Sequence, residues 1–293
     1  MSELTRRVLF SVVAIPVALG AIWYGDWALA ALLAIAAALG AAEYYRIARE
    51  AGHQPFLVAG AALAGLVPIV VHGRRLGVFG GDALTISVVV ALAIFAASIW
   101  ARWPEGRPLG AAATTIFGVV YTGGTLAYGY GLRYHPYAVG TAAGAALVAL
   151  PLILTWTSDI GAYFVGRALG RRKLIPAVSP GKTIAGAVGA LVLCMIVAWV
   201  YQRWVLVPRA TLALRPLVPA LAASGALLFG ALISAVAQVG DLAESLIKRE
   251  SGVKDSSHLI PGHGGVLDRL DSLFFVLPVA YLLFDWLLIP ALR

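Results

Sequence analysis

Long apolar runs set the first limit on what this chain can become. Nine are read along its 293 residues: Val8–Tyr24, Trp27–Ala42, Phe56–Val71, Ala83–Trp100, Leu109–Gly131, Val139–Thr157, Ile184–Val207, Leu217–Val239 and Ser272–Leu292. A helix needs about 20 mostly apolar residues to cross a bilayer. The runs are continuous rather than alternating, which argues against a barrel. The expected fold is therefore an all-α polytopic integral membrane protein of about nine transmembrane helices. The second and third runs are short, so tilted or partly re-entrant segments are expected there. Gly161–Gly170 is a shorter apolar patch that either extends the sixth run or lies at the interface. The first run follows Arg6 and Arg7 as in a signal peptide. A second run comes almost at once, so the first is expected to stay as an anchor.

Composition excludes the alternatives. The chain is 61% hydrophobic and 12% charged, whereas soluble domains carry about 25% charged residues. A soluble enzyme could not cover its surface with so few polar groups, and a disordered chain would not hold so many apolar ones. The single cysteine, Cys194, cannot form an internal disulfide and reads as a small buried hydrophobe.

Basic residues give the orientation. With the N-terminus inside, fifteen of the 22 Lys and Arg fall in inside segments. Arg74, Arg75, Arg133, Arg203, Arg209, Arg215 and Arg293 fall outside. This asymmetry favours a cytoplasmic N-terminus. The formal charge of +8 then reads as topology and attraction to anionic lipid rather than as nucleic-acid binding.

Polar chemistry is concentrated in two segments. Residues 241–271 hold Asp241, Glu244, Lys248, Arg249, Glu250, Lys254, Asp255, Asp268, Arg269 and Asp271, with His258 and His263 among them. All four lysines, Lys173, Lys182, Lys248 and Lys254, lie there or in the loop before the seventh run. An even number of crossings separates the two segments, so both are expected on one face, the cytoplasmic one.

In the first segment, Asp159 closes an apolar run. A carboxylate near bilayer depth costs about 2.5–3.5 kcal/mol on insertion scales, which marks it as a functional candidate. Ser179-Pro180-Gly181-Lys182-Thr183 is expected to form a turn into a helix N-terminus, where free N–H groups and the helix dipole suit phosphate. It is not a Walker A loop, because Pro176 stands where that pattern needs Gly.

In the second segment, Asp241, Ser245 and Lys248 are spaced to share one helix face, as are Asp268 and Asp271. Between them Pro261, Gly262, Gly264 and Gly265 form a loop able to fold back tightly and expose backbone N–H groups. Carboxylates on two helix ends at a membrane boundary suit a hard cation such as Mg²⁺, shared with substrate phosphates. Lys248, Arg249, Lys254 and Arg269 would hold phosphate charge around it. Zinc is disfavoured, since no Cys is near.

The run Ser245-Leu-Ile-Lys248-Arg249, then Lys254-Asp255, then His263-Gly264-Gly265-Val266-Leu267-Asp268-Arg269-Leu270-Asp271 resembles the signature of the phosphatidate cytidylyltransferase (CDP-diacylglycerol synthase) family. Asp159, Ala162-Tyr163-Phe164, Gly166-Arg167 and the SPGKT segment look like that family too. The resemblance is close from about residue 155 to 272; the N-terminal half agrees only in being apolar spans.

It implies that CTP and phosphatidic acid give CDP-diacylglycerol and pyrophosphate, with Mg²⁺ as one or two ions. It also implies a bacterial inner-membrane enzyme and a homodimer; the spread of basic residues over many short loops argues against a nucleic-acid partner. Asp241 and Asp268 correspond to metal-site carboxylates, with Asp271 and Asp159 beside them. Lys182 and Lys248 are expected to be catalytic. Ser179, Thr183, Arg249, Lys254, His263, Gly264, Gly265 and Arg269 are expected to bind substrate, His263 as a loop organiser. Residues 1–154 would be scaffold and dimer contacts, and 155–293 the catalytic half. The chain departs from the family at Ala185, where an acidic residue is common.

A CTP-dependent lipid kinase, or a cytidylyltransferase acting on another lipid phosphate, would use similar residues. A transporter is the remoter alternative. It would place polar groups near mid-membrane in broken helices, whereas here they cluster at span ends.

Overall fold

A computed structural model describes residues 3–102, 106–136, 138, 140–208, 223–257, 259 and 264–288. Among the described residues, eight helical segments are long and apolar enough to cross a membrane: Asp26–Glu50, Leu57–Arg75, Ala83–Ala101, Pro108–Arg133, Thr141–Leu169, Ile184–Leu206, Ala223–Glu250 and Leu267–Leu288. The first apolar run lies in a further helix, Glu3–Tyr24, whose apolar part is Phe10–Tyr24. The chain is an all-α polytopic membrane protein with one short two-stranded sheet.

Chain segments are labelled as α1 Glu3–Tyr24, α2 Asp26–Glu50, α3 Leu57–Arg75, α4 Ala83–Ala101, α5 Pro108–Gly118, α6 Thr125–Arg133, α7 Thr141–Leu169, β1 Lys173–Ile175, β2 Ser179–Thr183, α8 Ile184–Tyr201, α9 Ala223–Glu250 and α10 Leu267–Leu283. Wider π-helical turns at Val119–Gly124, Gln202–Leu206 and Phe284–Leu288 continue α5, α8 and α10.

The two shortest runs become full-length spans, so no re-entrant segment is needed there. Helix α2 is 25 residues and α3 is 19. Helix α2 continues past its apolar run through Glu43, Arg46 and Arg49, because helical hydrogen bonding does not stop where hydropathy does. The Gly161–Gly170 patch extends α7 to Leu169.

The chain divides into two compact units. One comprises Met1–Tyr130 with Ile247–Leu270, the other Gly131–Leu246 with Asp271–Arg293. In the first, α2 packs along α3, and both pack on the Val119–Gly124 turn. Tyr45 on α2 is fully buried and donates a 2.7 Å hydrogen bond from Oη to the Thr115 carbonyl. A Cβ at Gly60 or Gly118 would strike the Tyr45 ring. Small residues let the backbones close around it, the usual packing device where lipid gives no hydrophobic drive.

In the second unit, α7 packs along α8. Gly186 on α8 lies so close to α7 that a Cβ would fall 2.6 Å from the Ala162 carbonyl oxygen. Ser158 on α7 and Ser234 on α9, both buried, share a 2.9 Å hydrogen bond. Cys194 is buried, as its sequence setting implied, and its Sγ donates to the Leu154 carbonyl at 3.3 Å.

Candidate active site

The SPGKT segment is not a turn. It forms strand β2, antiparallel to β1, with Lys173 opposite Thr183 and Ile175 opposite Ser179. The turn is Pro176–Val178, closed by the Val178 N–H on the Ile175 carbonyl at 3.2 Å. Two local preferences explain this. A residue before proline is pushed toward extended backbone, which sets Ser179. The absent N–H of Pro180 is tolerated in a sheet with free edges. Thr183 ends the strand in extended conformation and caps α8, its Oγ1 accepting from the Gly186 N–H at 3.1 Å. The strand thus delivers Lys182 to the helix entry by a different local geometry from the expected one.

This hairpin, α7, the start of α8 and Asp241 of α9 line a cavity of about 540 Å³ within the second unit. Its charged lining is Asp159, Arg167, Lys173, Lys182 and Asp241, with Tyr163, Thr183 and Gln238 adding polar atoms. Lys182 Nζ lies 2.7 Å from Asp241 Oδ2, close enough for an ion pair though poorly directed as a hydrogen bond. Ser245 Oγ donates to Asp241 Oδ1 at 3.4 Å. Arg167 Nη1 donates to Tyr163 Oη at 2.9 Å. Ser179 is not part of the lining.

The signature residues 247–270 belong to the first unit and build a second polar centre. Asp268, at the start of α10, accepts four hydrogen bonds. Lys248 Nζ donates to Oδ1 at 2.7 Å. Ser256 N (3.0 Å), Ser256 Oγ (2.7 Å) and Gly265 N (2.8 Å) donate to Oδ2. Gly264 has φ +81°, a conformation that favours glycine, and a Cβ there would fall 2.7 Å from Asp268 Oδ2. Gly265 has no room for a Cβ between Ser256 Oγ and Glu43 Oε2. The two glycines thus let the backbone wrap around the carboxylate. Arg249, Lys254 and Arg269 are exposed. Asp271, in the second unit, accepts from the Ser272 N–H. His258 and His263 lie outside the described residues.

A divalent cation is testable against this donor set. Among the described residues, no three His, Cys, Asp or Glu side chains gather as a complete metal cage. Asp159 and Asp241 line one cavity together with cations suited to phosphate. Two carboxylates with the remaining positions left to phosphates and water is how Mg²⁺ is commonly held, so the residues fit that ion. Asp268 Oδ1 carries a single hydrogen bond, from Lys248, and keeps acceptor capacity.

The sequence reading missed Arg167, Lys173 and Gln238 as cavity residues, because their role depends on how α7, the hairpin and α9 meet. It also missed Glu43, a buried carboxylate on α2 bonded to the 256–267 loop. Its signal was a lone acid just beyond an apolar run.

The family model described as "Cytidylyltransferase family" matches residues 5–287. The chain is 44% identical to the phosphatidate cytidylyltransferase of Haemophilus influenzae over half of this chain and 48% of that protein. It therefore spans about half the length of that relative, and the same share holds for the Bacillus subtilis protein of the same name, at 40% identity. With the phosphatidate cytidylyltransferase of Pseudomonas aeruginosa it is 36% identical over 94% of this chain and 95% of the relative. On this near full-length agreement, the chain belongs to the cytidylyltransferase family.

Proposed function

We propose that this protein is a CTP:phosphatidate cytidylyltransferase, transferring CMP from CTP to phosphatidic acid to give CDP-diacylglycerol and pyrophosphate. The observation that carries this reading is the cavity of the second unit, where Arg167, Lys173 and Lys182 meet Asp159 and Asp241. Cations suit a triphosphate, and two carboxylates lining the same cavity suit the ion that travels with it. The names of the curated relatives support the lipid substrate.

The lipid phosphate oxygen attacks the α-phosphorus of CTP. A new P–O bond forms, the α–β bridging bond breaks, and its electron pair leaves on pyrophosphate. A phosphate monoester has its second pKa at about 6, so no general base is needed at pH 7. Positioning and charge neutralisation carry most of the barrier reduction. Arg167, Lys173 and Lys182 hold the triphosphate, and Lys182 exchanges Asp241 for phosphate as substrate enters. Lys248, Arg249, Lys254 and Arg269 of the signature hold phosphate charge. Asp241 and Asp159 would hold Mg²⁺, with Asp268 and Asp271 in the same role by resemblance. When bound, the ion neutralises phosphate oxygens and the developing charge on the leaving group.

The excess of Lys and Arg in the segments flanking the site supports a bacterial inner-membrane enzyme with its active site toward the cytoplasm. A homodimer is part of the proposal. The test is turnover by detergent-purified protein given CTP, phosphatidic acid and Mg²⁺. Pyrophosphate and CDP-diacylglycerol should appear together, and both should vanish with EDTA or in Asp241→Asn. Release of CDP with a lipid alcohol as acceptor would instead make it a lipid kinase.

A further inference from the structure

Glu43 lies on α2, more than 200 residues before the signature, and is 1% exposed. Both carboxylate oxygens are used. Oε1 faces Ser257 Oγ at 2.6 Å and the Val266 N–H at 3.1 Å. Oε2 faces the Leu267 N–H at 2.7 Å and Ser256 Oγ at 3.1 Å. The four groups are hydroxyls and backbone N–H groups rather than cations. Two are serine hydroxyls before α10, and two are the N–H groups of Val266, just before α10, and of Leu267, its first residue. Such N–H groups have no partner within the helix, and a carboxylate there also meets the favourable end of the helix dipole.

The same hydroxyl also reaches Asp268. Ser256 Oγ is 2.7 Å from Asp268 Oδ2 and 3.1 Å from Glu43 Oε2, so its one proton is shared between two carboxylates. Glu43 therefore touches the loop before it, the turn of α10 after it, and the serine that supports Asp268. Gly265 passes so close that a Cβ would strike both Ser256 Oγ and Glu43 Oε2.

We propose that Glu43 is a positioning residue for cytidylyl transfer: it fixes Ser256, Ser257 and the Val266–Leu267 entry to α10 and, through Ser256, the carboxylate of Asp268. This rests on the function proposed above. An amide cannot replace the acid. Each oxygen faces a backbone N–H, so either orientation of a Gln side chain sets an NH₂ against a donor.

The test uses the full chain in detergent, with two readouts. One is amide hydrogen exchange of peptides covering 253–267, which needs no activity. The other is kcat and KM for CTP. In Glu43→Gln, exchange protection of 253–267 should fall while peptides of α7 and α8 keep theirs. kcat should drop on the order of 10- to 100-fold, as for other residues that orient an active-site ligand. KM for CTP should move less than about threefold, because the cations of the second-unit cavity are untouched. Ser257→Ala removes a single donor and covers the case in which Glu43→Gln does not fold; it should show the same pattern, with kcat down about fivefold, the worth of one hydrogen bond.

Unchanged loop protection in both variants would overturn the proposal. So would lost kcat with the loop still protected, or protection lost equally across the whole chain. If the wild-type protein makes no CDP-diacylglycerol, the functional reading fails by itself, while the exchange data still decide whether Glu43 holds the loop.

Discussion

Lys182 and Asp241 meet at 2.7 Å in the wall of the second unit's cavity, one from a strand, the other from a transmembrane helix. Lys182 is the residue before the α8 cap, so its place is set by the hairpin. Asp241 is set by α9. The pair keeps a cation and a carboxylate at one point of the cavity wall, available to phosphate and metal respectively.

Removing either partner should therefore affect different steps. Lys182→Ala should raise KM for CTP, with kcat/KM falling roughly 10- to 100-fold, the worth of a charge-assisted contact of about 1.5–3 kcal/mol. Asp241→Asn should abolish turnover while CTP binding persists. Steady-state kinetics with equilibrium CTP binding separates the two, and equal loss of binding in both variants would contradict the division of roles.

The second ion pair is less exposed. Lys248 and Asp268 side chains retain 14% and 8% of their exposure. Lys248→Met leaves Asp268 Oδ1 without its cation and should destabilise the protein by about 3 kcal/mol, the lower end for breaking a buried pair. Thermal denaturation of the detergent-solubilised protein reads this. Arg249→Met, on an exposed neighbour, should leave the midpoint within a degree or two.

The α7–α8 contact predicts a steric effect. A Cβ at Gly186 would lie 2.6 Å from the Ala162 carbonyl oxygen and 3.1 Å from Thr183 Oγ1. Gly186→Val should cost about 1–3 kcal/mol through overpacking and also lower CTP affinity, because the same helices wall the cavity. Gly181→Ala, where a Cβ would meet nothing within 4 Å, is the matched control for stability.

A pH effect is expected from His135, which lies between the spans Pro108–Arg133 and Thr141–Leu169. Burial holds its pKa below the ordinary value of 6.5, with Asp285 at 3.4 Å opposing that shift. The fold thus favours the neutral ring. Its contribution is present above pH 6.5 and is lost as pH falls through 6.5 toward the lower folded pKa, where the unfolded chain binds the proton first. Thermal midpoints between pH 7.5 and 5 should drop more for wild type than for His135→Gln. Parallel curves would rule this out.

The helical, membrane-spanning character of this chain is written in run length and hydropathy, because a bilayer demands apolar residues over a fixed thickness and satisfied backbone along it. The grouping of these signature residues was legible in near spacing: Gly264 and Gly265 pass the carboxylate of Asp268 at the start of α10, and Lys248 reaches it from the helix just before. Helix ends were not legible at α2, because Glu43, Arg46 and Arg49 continue a helix that hydropathy alone would stop. The strand at Ser179–Thr183 was misread as a turn, because Pro and Gly mark both and only pairing with Lys173–Ile175 separates them. Tertiary structure alone brought Asp159, Arg167, Lys173, Lys182 and Asp241 to one cavity, and set Glu43 against a loop more than 200 residues away. Those contacts arise from helices crossing one another, and a crossing leaves no period or spacing in the sequence of either helix.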